Sequence, residues 1–176
     1  MAAYKDYVDG LSHILADMGV IKRDDIEVLI TDFDGHALAN FEDFLLEEGI
    51  VYKDQLLKAL ETYYGVAAID VMGELYDYHY LQYFPKNLLL RYNCIPIRKD
   101  GNVLIMVAGD PSNAELDVVL GQYASYDFVY FVGIPRHIRL MIRDVYDDSL
   151  QSDATTDTDS PEDYSVDADV DQKLEE

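Results

Sequence analysis

One cysteine and four histidines are the side chains in this chain that could form a zinc site or a Cys/His nucleophile pair. Cys94 has no histidine at metal-ligand spacing, and His13, His36, His79 and His137 are scattered along the sequence. Neither a zinc site nor a Cys/His pair is predicted, and a lone cysteine forms no internal disulfide. No Ser/His/Asp constellation stands out. No Gly-x-x-x-x-Gly-Lys-Ser/Thr loop occurs, so these residues carry no phosphate cradle for ATP. Asp157-Thr158-Asp159 and Asp167-Ala168-Asp169-Val170-Asp171 have the alternation that opens a calcium loop, without the glycine and the bidentate glutamate that complete one. Arg23 and Lys53 are the one matched pair of cations, and by themselves they read as solvated turn residues. The chain therefore reads as a non-enzyme, with no metal and no cofactor.

The elements that would carry these residues begin with a repeat. Setting Gly19 on Gly49 gives an offset of 30. Leu11, Ile14, Leu15 and Met18 fall at i, i+3, i+4 and i+7, one stripe of a helix, and their equivalents are Phe41, Phe44, Leu45 and Glu48. Ile26, Leu29, Ile30 and Phe33 repeat the spacing after the glycine, matched by Leu56, Ala59, Leu60 and Tyr63. A glycine just past a helix takes the left-handed conformation without a Cβ clash. Asp24 and Asp54 would sit in the first turn of the next helix, where the dipole favours a carboxylate. Each unit is a helical hairpin that needs its twin to bury a core.

After Gly65 the rhythm changes. "VAAIDV" (66–71) is a strand candidate, and Pro85 can open a helix through Arg91. "CIPIRKDGNVLIMVAGD" reads as a hairpin turning at Asp100-Gly101. Residues 113–124 read as a helix, 127–134 as a strand and 135–146 as a helix started by Pro135. The prediction is an α+β chain in three parts. Residues 1–65 form two tandem helical hairpins, 66–146 a small mixed α/β sandwich, and 147–176 a disordered acidic tail.

Charge narrows the function classes. The net charge is −22, half of it in the last 30 residues, and no basic stripe offsets it. A body of that sign repels phosphate backbones, which argues against nucleic-acid binding. The start lacks the charged-then-apolar pattern of a signal peptide, and no apolar run is long enough to span a bilayer, so a cytoplasmic protein is predicted. Fifteen tyrosines and no tryptophan suit an interface or a seam between subdomains.

Several stretches are similar to one known family. Phe41…Leu45…Gly49-Ile50-Val51…Leu56…Ala59-Leu60…Tyr63 follows the tandem motif Leu-Gly-x-x-Leu-x-x-x-Gly-x-Ile, then Leu-x-x-Ala-Leu-x-x-Gln. "YFPKNLLLRYNCIPI" follows a Leu-Pro…Ile/Leu-Pro segment. Ala108-Gly109-Asp110-Pro111 with Leu116-Asp117 follows Val-Ala-x-x-Asp-Pro…Leu-Asp, the most specific match. Over about residues 11–146 the chain resembles the N-terminal (MshEN-like) domain of bacterial type II secretion and type IV pilus assembly ATPases, the GspE/PilB family.

That resemblance implies a non-catalytic docking and regulatory domain, joining a motor to cytoplasmic domains of the membrane assembly platform, with the motor's own ATPase domain as a further partner. An acidic domain at a membrane would be held there by protein, since anionic lipid repels it. The resemblance also implies an alternative, a cyclic di-GMP receptor. Its ligand-facing positions carry over to Leu11, Gly19, Arg23 and Phe33 in the first unit, and to Phe41, Gly49, Lys53 and Tyr63 in the second. The family reads its ligand with Arg-Leu-Gly at the front of each unit and Gln at the end. Here the fronts are Gly10-Leu11-Ser12 and Asn40-Phe41-Glu42, and the ends are Phe33 and Tyr63. The apolar frame persists and the polar readers are gone. Tyr64, Tyr76, Tyr80 and Tyr83 are the expected partner-facing residues. The acidic tail looks like the linker before such a motor, so the chain reads either as part of a motor protein or as a stand-alone regulator.

Overall fold

A computed structural model describes residues 2–36, 40–74 and 76–154. The two glycines of the repeat stop their helices in the same way. Helix α1 (Ala2–Asp17) ends with Gly19 at φ 72°, where Val20 N–H bonds Leu15 O and Gly19 N–H bonds Ala16 O. Helix α3 (Phe41–Glu47) ends with Gly49 at φ 66°, where Ile50 N–H bonds Leu45 O and Gly49 N–H bonds Leu46 O. Both are Schellman caps, and the residue after each glycine turns the chain into the next helix. These are α2 (Ile26–Asp34), entered through a single 3-10 turn at Arg23–Asp25, and α4 (Lys53–Tyr64), opened by Tyr52 N–H bonding Gln55 Oε1 at 2.8 Å.

The predicted stripes meet in one core. Leu11, Leu15, Leu29, Phe33, Phe41, Phe44, Leu45, Leu56, Ala59 and Leu60 are all buried in it, whereas Met18 and Glu48 stay exposed at the hairpin tips. At about 1.5–3 kcal/mol for each large side chain, this burial stabilises four short helices that would not persist alone.

The second half is a three-stranded sheet with helices around it. Helices α5 (Tyr78–Leu81) and α6 (Lys86–Tyr92) precede β1 (Cys94–Asp100), which pairs antiparallel with β2 (Val103–Ala108). The short helix α7 (Leu116–Leu120) crosses to β3 (Asp127–Val132), parallel to β2, and α8 (Pro135–Ala154) closes the chain. Leu89, Ile95, Leu104, Met106, Ile138 and Ile142 fill this second core. Val132 and Ile134, at the end of β3, belong to the hairpin core, so the two halves meet at this strand end.

Three segments differ from their expected form. "VAAIDV" pairs only once, by a parallel bridge between Ala68 and Val132. The Asp70 carboxylate then accepts Met72 N–H at 3.2 Å and turns the chain into a 3-10 turn at Val71–Gly73. The helix expected over 113–124 is confined to Leu116–Leu120. Helix α8 runs to Ala154, eight residues past the expected boundary. No Pro or Gly interrupts it, propagation past a formed turn costs little, and Lys86 Nζ holds Asp147 Oδ1 at 3.0 Å. The rest of the predicted tail, with both calcium-like runs, lies outside the described residues. No helix among the described residues is long and apolar enough to cross a membrane.

Candidate functional site

The upstream face of α1 decides what the hairpin positions can do. Tyr4, Tyr7 and Leu11 extend the apolar stripe toward the N-terminus at helical spacing. Gly10, on the same helix, lets the Tyr63 ring approach: a Cβ there would stand 3.0 Å from Tyr63 Cε2. Tyr7 meets Tyr63 edge-on at 4.9 Å between centroids. The Tyr4 hydroxyl accepts the Phe41 N–H at 3.0 Å, one of the amides a helix start leaves open. Tyr7 Oη donates to Glu42 Oε1 at 2.5 Å, with Tyr7 8% and Glu42 6% exposed. Burial raises the Glu42 carboxyl above its ordinary value, while the Tyr7 hydroxyl and the Arg139 guanidinium pull it back.

Four of the carried-over ligand positions, Leu11, Phe33, Phe41 and Tyr63, are taken up by this internal packing, and the other four are exposed. Phe33 stands 5.1 Å from Phe41 and 5.4 Å from Phe44, ring to ring, and Leu11 has no exposed surface. Gly19 and Gly49 serve as helix caps. Arg23 is exposed and donates to Asp17 at 2.5 Å, and Lys53 donates to Asp70 at 2.5 Å. Burial would lift the Asp70 carboxyl, but the Lys53 ammonium and Met72 N–H hold it below its usual range. The two cations are thus tied to different places, one to the end of α1 and the other to the junction after α4. Gly19 opens on a groove of about 500 Å³ whose charged lining residues are Lys22, Asp25 and Asp32, so a dianion there would meet two carboxylates against one ammonium.

The expected partner-facing tyrosines separate into two groups. Tyr64 lines a cleft of about 560 Å³ between the hairpins and the second half, alongside Tyr63, Glu42, Asn93, Asp110 and Arg139. Its hydroxyl is pushed up, first by burial and then by the Asp110 and Glu42 carboxylates. Tyr76 is half-buried, its hydroxyl bonded to Val71 O at 2.6 Å. Tyr80 and Tyr83 instead form a partly exposed cluster with His79 and Tyr126. Tyr83 Oη lies 3.0 Å from His79 Nε2, and Lys99 Nζ lies 5.3 Å from the Tyr126 ring centre. Ion pairs tie the start of α8 to α3, Arg136 to Glu47 and, at 3.9 Å, Arg139 to Asp43.

The MshEN domain family matches residues 53–152, more than half of the chain. The chain belongs to the MshEN domain family. Its fold is similar to that in a structure of MshE with cdg, at TM-score 0.61 and 19% identity, covering 77% of this chain and 98% of that one. It is also similar to the N-terminal domain of XpsE, at TM-score 0.50 and 13% identity, covering 76% of this chain and 91% of that one. At these identities the likeness is one of fold. No curated protein matches the chain by sequence.

Within this MshEN fold, the Glu42–Tyr7 pair and the contributions of Asn93 and Arg139 to the cleft were not legible as a site. One signal was available for the first: the α1 stripe continues upstream of Leu11 through Tyr7 and Tyr4. Nothing in the sequence brings Asn93 or Arg139 toward the hairpins.

Proposed function

We propose that this MshEN domain is the non-catalytic docking and regulatory domain of a type II secretion or type IV pilus assembly ATPase, linking the motor to the cytoplasmic face of the platform. The observation that supports this reading is that the apolar hairpin positions Leu11, Phe33, Phe41 and Tyr63 are packed by the domain's own side chains. Glu42 sits buried on the Tyr7 hydroxyl, and Phe33, Phe41 and Tyr63 pack into neighbouring aromatic rings. Recognition of guanine and phosphate needs donors at those places, and aromatic packing supplies none. The family scaffold is then left with protein-binding surface. Tyr80, Tyr83 and Tyr126 suit it, being large, rigid and partly exposed, with the Tyr83 hydroxyl engaged by His79. On this reading the domain sits at the inner membrane through protein partners.

Pull-down of the full chain with the platform's cytoplasmic domains tests this. Enrichment is expected, with loss on Tyr80→Asp/Tyr83→Asp substitution. Absence of enrichment contradicts docking. The likeness to MshE, solved with cdg, favours a second reading as a cyclic di-GMP or other nucleotide receptor. The acidic groove and the missing arginines oppose it.

A further inference from the structure

The two edges of the sheet are finished differently. In the strand order β1-β2-β3, β1 carries Pro96, a register shift between Pro96 and Arg98, and the exposed Arg98 and Lys99. Proline, a bulge and cations are devices that keep a sheet edge from pairing with another strand. Strand β3, "DFVYFV" (127–132), has none of them and pairs with β2 without a shift. Among the described residues its outer edge is paired only at the far end, where Ala68 bridges Val132. There Val132 N–H bonds Ala67 O at 3.0 Å and Val132 O accepts Ile69 N–H at 2.9 Å, whereas Asp127 N–H bonds Asn102 O at 3.1 Å on the β2 side. Backbone groups alternate between the two sides of a strand, so Phe128 and Tyr130 aim theirs outward as Val132 does. Val129 stands between them, 43% exposed, opposite Ile105 of β2.

An open edge of this kind is completed by another strand, and this edge is its own complement. Set antiparallel to a second copy about Val129, Phe128 meets Tyr130 of the copy as a hydrogen-bonded pair, and Tyr130 meets Phe128 likewise. Val129 then meets Val129 as the closer, non-hydrogen-bonded pair on the exposed face. The one charge on the strand, Asp127, faces Phe131 of the copy rather than another carboxylate. We propose that β3 pairs with β3 of a second copy across a two-fold axis at Val129, joining the two sheets into one. This short edge covers well under the roughly 800 Å² per partner of a stable interface, so the dimer is weak and reversible. Two chains of net charge −22 repel each other, so added salt tightens it. The pairing does not depend on the docking reading.

Sedimentation of the full chain from about 5 to about 500 μM, in about 50 mM and about 500 mM NaCl, tests it. A monomer–dimer equilibrium is expected, with a dissociation constant about tenfold lower at the higher salt. Val129→Lys, which sets two ammonium groups face to face on the axis, should abolish the dimer. Val118→Lys, at a 68% exposed site on α7, should not. Oxidised Val129→Cys should cross-link into a dimer, because the axis brings its two Cβ atoms within bridging distance. Asp127→Cys should not, since its copy lies about four residues along the strand. Cys94 is fully buried and does not compete. A monomer at every concentration overturns the proposal and leaves the edge to a strand of another protein. A dimer that tolerates Val129→Lys, or that cross-links equally through Asp127→Cys, overturns it too.

Discussion

Substituting Tyr7→Phe removes one hydroxyl and keeps the ring that packs on Tyr63 and Tyr64. What is lost is the 2.5 Å hydrogen bond to Glu42, between groups 8% and 6% exposed. A bond to a buried charged acceptor is worth roughly 1.5–3 kcal/mol, so a loss of about 2 kcal/mol is expected at pH 8. For a chain of this size that lowers Tm by about 4–8 °C. The pH dependence follows from the carboxyl. Burial raises the folded-state value of Glu42 above 4.5, and the Tyr7 hydroxyl opposes that shift. The contribution of this group to stability is therefore fully present below its unfolded value and falls as pH rises through its folded value. Without the hydroxyl the folded value climbs further, so the cost of the substitution is greatest once Glu42 is ionised. At pH 4 it shrinks toward the roughly 1 kcal/mol of a neutral hydrogen bond. In a Glu42→Gln background, which keeps an acceptor and removes the charge, Tyr7→Phe should cost about 1 kcal/mol at either pH. Urea unfolding followed by circular dichroism reads all of these. A penalty below about 0.5 kcal/mol, or one equal at pH 4 and pH 8 in the wild-type background, would refute the reasoning.

Gly49→Ala should cost about 1 kcal/mol in urea unfolding, from the left-handed φ alone, because nothing lies within 4 Å of the added Cβ. Gly121→Ala should also destabilise, since its Cβ would stand 2.8 Å from the Asp117 backbone oxygen. Cys94 is fully buried and its thiol is pushed up to about 12 by burial, so it should resist Ellman's reagent at pH 8 and react on unfolding. Rapid labelling of the native chain would contradict its place in the core.

The parts legible in the sequence are those set by local rules. The Schellman glycines at 19 and 49, the stripe from Leu11 to Phe33 and its copy, and the hairpin turning after Asp100 all follow from helix period and turn chemistry. Where pairing decides the outcome, the reading was weaker. "VAAIDV" has strand composition but pairs only at Ala68, because Asp70 turns the chain at once. The cleft lies further from view. Asn93, at φ 49°, caps α6, and Arg139 lies one turn into α8, so their arrival beside Glu42 depends on how the two halves dock. The meaning of Glu42 was half visible. Its place at the front of the second hairpin marked it as unlike a phosphate-binding position, yet its burial depends on Tyr7, 35 residues away.

On the proposed reading this MshEN fold keeps its scaffold while its own side chains pack the apolar positions that the resemblance assigns to a nucleotide, Leu11, Phe33, Phe41 and Tyr63. Isothermal titration of the full chain with cyclic di-GMP tests it most directly. No saturable heat is expected at ligand concentrations up to about 100 μM, with or without Arg23→Ala/Lys53→Ala substitution. Micromolar binding that weakens when Arg23 and Lys53 are removed would contradict it.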